Sequence, residues 1–539
     1  MPSMKNKFPL FKHYQSKHAV PLVYLDSAST TQMPEQVISA VSHCMTHSHA
    51  NVHRANYPLG LDAQNLFFDA RKTIGQFIGA SSSQQIVFTK SCTESINLLA
   101  STIVKGRLKP GDEIILSVLE HHANWLPWRE LSQLMNVKLK VIPLDRHGRL
   151  DFEAFRELIS DRTRVLALTH TSNVTGEIVD IKRYVDSIKS FDCLSIVDGA
   201  QALAHTPVNV HDLGCDFYCF SAHKMYGPQG VGGLYGKTKQ LSDIAYWLLG
   251  GNMVDYFDEA KLVLQAIPER LEAGTPNLAG ICGMAEAANF LRIHGEDYAK
   301  REQRLKSHLL EKLSNLPLSY LSPSDAPIVS FSLTDGGEQD LCDLLTSQHI
   351  ALRTGQHCAT PLLRHLELNS CLRISLGAYN DEQDIESLLS AIAAYFKKRN
   401  NKPKLSQTNI ETSPALLPKE KLSREAFLKH LKILGSSSKR LADKQKTQVN
   451  EIKECEVRSW LRIDNNPHLT IESDSESTLV RGLLSLVTTI AFEKIHLGVT
   501  SLTIEDLDAL TANLHHLSQT RRKTVVKMLA RINEFLEQE

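Results

Sequence analysis

Residues 221–233 read SAHKMYGPQGVGG. Glycines 227, 230, 232 and 233 and Pro228 crowd one lysine, Lys224, which follows a histidine. A surface lysine needs no such setting. A lysine whose nitrogen must be held at one point, with backbone close by, does need it. Taken alone, the stretch also fits a surface turn. The residues before it shift the balance. Residues 194–198 (LSIVD) form a short apolar run that ends in an acid, and 217–220 (FYCF) form another that ends at Ser221. Short β-prone runs that stop at polar residues are the pattern of buried parallel strands whose C-terminal ends carry chemistry. That pattern puts Asp198 and Lys224 at one edge of one sheet.

Two further runs behave the same way. Residues 113–118 (EIILSV) lead into LEHHAN, and 164–169 (RVLALT) lead into HTSNVTG. A parallel sheet brings His121, Asn173, Asp198, Gln201 and Lys224 to one rim. Any one of these could be a cap or turn residue; five at successive strand exits are hard to explain so. Upstream, TKSCTES (89–95) precedes the helix-like INLLASTIV. Hydroxyls at a helix start are ordinary N-caps. The same geometry also cradles phosphate, because free N–H groups and the helix dipole point outward. A lysine, an acid, a histidine and a phosphate cradle are the parts that pyridoxal phosphate (PLP) requires.

The whole chain sets the bounds. Its 539 residues are too many for one core, so two or more domains are expected. Apolar residues make up 42% and charged residues 22%, as in ordinary globular proteins. A formal net charge of zero argues against a general nucleic-acid binder. The start, MPSMKNKFPLFKHYQ, lacks the apolar segment of a signal peptide, and no apolar run reaches bilayer-spanning length. The ten cysteines contain no CxxC pair, so no metal site is expected. Reduced thiols in a cytoplasmic protein are the simplest account. Composition breaks at KKRNNKPKLSQTNIETSPALLPKEK (397–421), which reads as a linker. Strands and helices alternate before it, in the manner of an α/β fold. After it the sequence reads as mostly helical, with apolar spacing over 424–434 and 520–537.

SAHKMYGPQGVGGLYG resembles the PLP-lysine motif of the class V aminotransferase group, within fold-type I. LDSASTT (25–31), NVHR (51–54), EHHANWLPW (120–128), TSNVTG (171–176), VDGAQ (197–201), LEAGTPN (271–277) and RTGQHCATPLL (353–363) narrow the resemblance to the group II cysteine desulfurases. It runs from about residue 20 to 397. It implies a large, mostly parallel sheet domain with a small α+β domain, and a homodimer. It further implies that Lys224 holds the cofactor covalently, Asp198 faces the pyridine nitrogen, Gln201 reaches the ring hydroxyl, and His121 stacks on the ring. Thr93, Ser221 and His223 are the implied phosphate ligands, with Thr275 from a second subunit. Asn173 and Arg373 fix the substrate carboxylate, and His53 and Arg353 are pocket residues. Ser91-Cys92 departs from the small-residue pair expected before Thr93, and Ala222 stands where glycine is common.

Cys358 lies in RTGQHCATP, on a loop bracketed by glycine and proline. Positive charge from Arg353 and His357 would favour a nucleophilic thiolate there. The parts imply that substrate cysteine gives up its α-proton to Lys224, that the Cys358 thiolate attacks the substrate sulfur, and that alanine departs. His121 is the candidate acid. An aminotransferase would not need Cys358. Cysteine, cysteine sulfinate and selenocysteine all remain candidate substrates, the last making a selenocysteine lyase.

The tail, 422–539, resembles the SufE-like sulfur acceptors. Cys455, Trp460, Asp474, Arg481, Gly482 and Arg521 match that pattern, while Glu454 replaces its glycine. The resemblance implies an α+β domain whose Cys455 receives sulfur from Cys358, for iron–sulfur or other sulfur-cofactor assembly through downstream acceptors. The competing reading is a tail that only docks on or activates the desulfurase. The expected organisation is an N-terminal segment (1–22) packed on the small domain, a large domain (23–290), a small domain (291–397), a linker (398–421) and the acceptor domain (422–539).

Overall fold

A computed structural model describes residues 4–53, 56–104, 106–314, 316–321, 325–333, 337–400, 422–438, 440–452, 457–464, 469–496, 499–507, 510 and 513–537. A seven-stranded sheet organises the large domain. Its spatial order is Ile86–Thr89, Gly232–Gly236, Phe217–Ser221, Leu194–Asp198, Thr163–Thr169, Glu113–Ser117, Lys138–Ile142. The last five of these run parallel to one another, and Gly232–Gly236 is antiparallel to both its neighbours. Four of the strands are buried along their whole length, which is why they read as unbroken runs rather than alternating ones. Helices cover both faces, and the cores on the two sides are built around Phe67, Ile74 and Leu166 on one side and Leu99, Trp128 and Ile196 on the other.

The 36-residue helix Leu278–Leu313 leaves the large domain and enters the small one. There an antiparallel sheet is ordered Leu318–Tyr320, Ile328–Leu333, Cys371–Ser375, Arg353–Gly355. The helices Glu338–Ser347 and Glu382–Asn400 flank it. The N-terminal segment packs on both domains. Phe8 meets Tyr226, Phe290 and Tyr379, and Lys5 pairs with Asp384. The helix Glu382–Asn400 carries through the first residues assigned to the linker; 401–421 lie outside the described residues.

The C-terminal part has its own core, around Phe427, Leu431, Leu483, Val487 and Met528. Helices Arg424–Ser437, Thr478–His496 and Gln519–Leu536 enclose an antiparallel pair, Ser459–Asp464 with Thr470–Ser475. The tail is therefore α+β. The mostly helical character read from its apolar spacing overlooked these two strands, whose charged outer residues mask the period-2 pattern.

Candidate active site

The turn that carries Lys224 is shaped by its neighbours. Strand Phe217–Ser221 pairs in parallel with Leu194–Asp198, which sets Cys219 opposite Asp198. It then breaks into one helical turn, Ala222–Lys224. The His223 carbonyl is pinned by Thr31 N at 2.8 Å and by the Thr30 and Thr31 hydroxyls, each at 3.1 Å. Gly230, at φ +75°, reverses the chain. A Cβ at Gly232 would stand 2.6 Å from the Phe220 carbonyl oxygen and 2.8 Å from Ser91 Cα. Only glycine lets the return strand lie between the lysine strand and the Ser91 turn. The glycines after Lys224 therefore let its strand, the return strand and the Ser91 turn pack backbone to backbone.

The strand ends open into a cavity of about 250 Å³. Thr93, His121, Asn173, Asp198, Gln201, Ser221, His223, Lys224, Arg353, Cys358 and Arg373 all line it. Burial lowers the Lys224 amine below its ordinary pKa, against the pull of Asp198. Burial, and then the charge of Lys224, push His121 down to about 4. His121 Nδ1 accepts from Ala123 N at 3.0 Å, which leaves the ring proton on Nε2. Asp198 Oδ1 accepts from Ala200 N at 2.9 Å and from the Cys92 thiol at 3.2 Å. Gln201 donates to the Ala28 carbonyl at 2.6 Å. Thr93 stands in the first turn of helix Cys92–Val104, whose Ser91 Oγ accepts from Glu94 N at 3.2 Å. The Ser221 hydroxyl accepts from Cys92 N at 2.8 Å.

Arg373 is 2% exposed. Its Nη1 donates to the Asn173 carbonyl at 2.9 Å, and its Nη2 donates to Ser29 Oγ at 2.7 Å and Asp26 Oδ1 at 3.1 Å. Its Nε is buried without a hydrogen-bond partner. Antiparallel pairing sets Arg353 directly opposite Arg373. Like charges so placed repel, and Asp26 offsets this by reaching both, with Arg353 at 3.5 Å.

Cys358 is exposed. His357 and Cys358 take consecutive left-handed conformations, φ +50° and +54°, which non-glycine residues rarely adopt. Two anchors hold the loop there: the Cys358 carbonyl accepts from His122 N at 2.7 Å, and the His357 carbonyl accepts from Asn173 Nδ2 at 2.9 Å. One sequence expectation fails here. Burial pushes His357 down to about 3, with Arg373 contributing, so its imidazole is neutral and brings no positive charge to the thiol. Arg353, with a half-exposed side chain, lines the same cavity as Cys358.

His53 and Thr275 do not line this cavity. The His53 ring sits edge-on to Phe67 at 5.8 Å, and Thr275 is exposed between Glu272, which pairs with Arg71, and Asn277, which caps the long helix. Cys455 lies outside the described residues. Sequence reasoning missed Asp26, Ser29 and the contact between Cys92 and Asp198. LDSASTT held the first two, but nothing local marked them as partners of an arginine some 350 residues away.

In the C-terminal domain the matched residues form a scaffold. Arg481 Nε donates to Asp474 Oδ1 at 2.8 Å, and its Nη1 and Nη2 donate to the carbonyls of Gly435 and Ser475 at 3.1 and 2.6 Å. Gly482 lies where helix Thr478–His496 crosses helix Arg424–Ser437 at Gly435. Lys446 and Arg458 stand 5.5 and 5.4 Å from the Trp460 ring centroid.

The cavity's donor set suits pyridoxal phosphate. It supplies an amine, a buried carboxylate, a ring-sized imidazole, and hydroxyls at a helix N-terminus. No helix among the described residues is long and apolar enough to cross a membrane, and no cluster of metal-ligating side chains occurs among them. The family model for class-V aminotransferases matches residues 23–388. The SufE model, described as an Fe-S metabolism associated domain, matches residues 419–536. A probable cysteine desulfurase of Pseudomonas putida is 40% identical over 387 residues, covering 71% of this chain and 96% of its own. A probable cysteine desulfurase of Vibrio cholerae is 37% identical over 394 residues, covering 72% and 97%. The crystal structure of the cysteine desulfurase CsdA from Escherichia coli aligns with TM-score 0.68 at 36% identity, covering 73% of this chain and 98% of that one. The chain belongs to the class-V aminotransferase family, uses pyridoxal phosphate, and carries a SufE domain at its C-terminal end.

Proposed function

We propose that the protein is a cysteine desulfurase that converts L-cysteine to L-alanine, holds the sulfur as a persulfide on Cys358, and passes it to Cys455. The observation that carries this is an exposed thiol, held on a strained loop, over the same cavity as Lys224. The names of the relatives support the same reading. When bound, pyridoxal phosphate supplies an electron sink for the pair released from the substrate Cα–H bond. The chain's own groups do the rest. Lys224, with its amine pKa lowered by burial, takes the α-proton. The unpartnered Nε of Arg373 binds the substrate carboxylate, while Asp26, Ser29 and Asn173 hold the guanidinium in place.

The Cys358 thiolate attacks the substrate sulfur, and the Cβ–S bond breaks. Proton return, with His121 Nε2–H as donor, completes alanine. The balance is one cysteine and one thiol in, one alanine and one persulfide out. Asp198, Gln201, Thr93, Ser221 and His223 are the proposed cofactor ligands, with Thr275 contributed across a homodimer. The proposed recipient beyond Cys455 is a cytoplasmic acceptor in iron–sulfur or related sulfur-cofactor assembly.

The test is intact and peptide mass after one turnover of sulfur-35 cysteine. Label is expected on Cys358 first and then on Cys455. Cys358→Ser should make little alanine from cysteine. Unchanged sulfur release by that variant would remove Cys358 from the reaction. Turnover in which Cys455 never carries label would reduce the tail to an adaptor.

A further inference from the structure

The SufE domain rests on the small domain of its own chain, through one turn of the helix Glu338–Ser347. Asp340 Oδ1 accepts from Thr478 N at 2.9 Å, and its Oδ2 accepts from the Thr478 hydroxyl at 2.9 Å. Thr478 is the first residue of helix Thr478–His496. Asp340 thus satisfies the start of that helix from another domain, with its negative charge at the positive end of the dipole. Three residues on, on the same helical face, Asp343 accepts from Arg521 Nη2 at 3.0 and 3.3 Å. Arg521 sits in the first turn of helix Gln519–Leu536. Both side chains of this ion pair are only 15% exposed, so solvent screens it less than a surface pair. Two helix starts of one domain therefore converge on two carboxylates of the other.

This contact lies beside the active site. A cavity of about 290 Å³ between the domains is lined by Arg353 and Asp343 on one side and by Val457 and Arg521 on the other. Arg353 also lines the cavity that holds Lys224 and Cys358. Val457 follows Cys455 by two residues, so chain geometry alone keeps the two within about 7 Å of each other. The acidic pair binds the SufE domain to the small domain of its own subunit.

We infer that the Asp340–Asp343 face of helix Glu338–Ser347 is the docking surface for the chain's own SufE domain, and that sulfur passes from Cys358 to Cys455 within one subunit. The inference rests on the reading of Cys455 as acceptor. In the step itself, the Cys455 thiolate attacks the outer sulfur of the Cys358 persulfide. The S–S bond breaks, and Cys358 leaves as a thiolate, which takes up the proton that Cys455 gave up. One sulfane sulfur moves and nothing is oxidised overall.

The experiment uses full-length chains loaded with cofactor. Cys358→Ser and Cys455→Ser chains are co-expressed with different tags, mixed in equal amounts, and given one turnover of sulfur-35 cysteine. Transfer within a subunit leaves label on Cys358 of the Cys455→Ser chain and none on Cys455 of the other. Label on that Cys455 at the wild-type rate overturns the inference. Separately, Asp343→Arg should slow transfer at least tenfold while label still reaches Cys358 at the normal rate. Asp343→Arg combined with Arg521→Asp should recover most of the loss. Wild-type transfer in Asp343→Arg would refute the docking surface. If homogeneous wild-type chains never label Cys455, the acceptor reading fails instead, and the two failures are distinct.

Discussion

Gly482 gives a quantitative test of why the Arg-Gly pair of the SufE domain is there. At the crossing of helices Arg424–Ser437 and Thr478–His496, a Cβ on Gly482 would overlap the Leu431 carbonyl oxygen and lie 2.8 Å from Gly435 N. A Cβ on Gly435 would likewise overlap the Thr478 carbonyl oxygen and lie 2.8 Å from Gly482 N. Each helix backbone fills the place of the other's missing side chain. Two effects of Gly482→Ala oppose each other. Helix propensity favours alanine by about 1 kcal/mol. Overpacking by one methyl costs about 1–3 kcal/mol, and here the upper end applies, because every near atom is backbone and neither helix can move a rotamer aside. The net is a loss of about 2 kcal/mol, from a domain stability on the order of 5–15 kcal/mol. That lowers the C-terminal domain's Tm by about 8 °C. Gly295, within helix Leu278–Leu313, is the control, since its added Cβ would meet only Leu291 Cδ2, at 4.0 Å. Gly295→Ala should therefore gain up to about 1 kcal/mol. Differential scanning calorimetry of the full chain reads both. A C-terminal transition in Gly482→Ala that is unchanged or raised would refute the tight crossing.

Arg373→Lys keeps the charge but loses the fork that reaches Asp26, Ser29 and the Asn173 carbonyl, and with it Nε. Losing one charge-assisted hydrogen bond of about 1.5–3 kcal/mol should lower kcat/KM for cysteine by about 10- to 150-fold, mainly through KM; a normal KM would remove Arg373 from substrate binding. Cys92→Ala deletes the thiol donor to Asp198 Oδ1. A thiol is a weak donor, so with this bond at about 0.5–1.5 kcal/mol, cofactor retention during dialysis should weaken about two- to tenfold and the visible band should shift; an unaltered spectrum and retention would make the contact incidental. His170, whose Nδ1 lies 2.9 Å from the Tyr218 hydroxyl, is held down at about 4 by burial. The unfolded chain therefore binds a proton that the folded one refuses between about pH 6.5 and 4, so this contribution to stability is present above 6.5 and is lost as pH falls through that window. His170→Gln should flatten the fall by about 1.4 kcal/mol per pH unit, read from urea midpoints across the window; an unchanged slope would mean the histidine titrates freely in the folded protein.

What could be read along the chain, and what could not, divides by the range of the interaction. The large sheet was legible because each buried strand is a short apolar run with a polar exit, a pattern within ten residues of itself. Lys224, Asp198, His121 and Asn173 were found by that pattern, and one cavity gathers them. Cys358 was legible because glycine and proline bracket it, although its two left-handed residues depend on anchors at His122 and Asn173 that no local signal announces. Asp26 was invisible for the opposite reason. Its task exists only because strand pairing sets Arg353 across from Arg373, and two guanidinium groups at that spacing need a carboxylate between them. His357 shows a further limit: sequence gives residue type, while burial decides charge, and here burial strips the charge on which the thiol argument relied. Gly482 was recognised only as one letter of a resemblance. Its physical cause is a second glycine 47 residues earlier, Gly435, and neither position explains itself until the two helices cross. Asp340 and Asp343 follow the same rule. On their own helix they are an ordinary solvated acidic turn, and only the helix starts of a domain more than 130 residues further along the chain turn them into caps and partners.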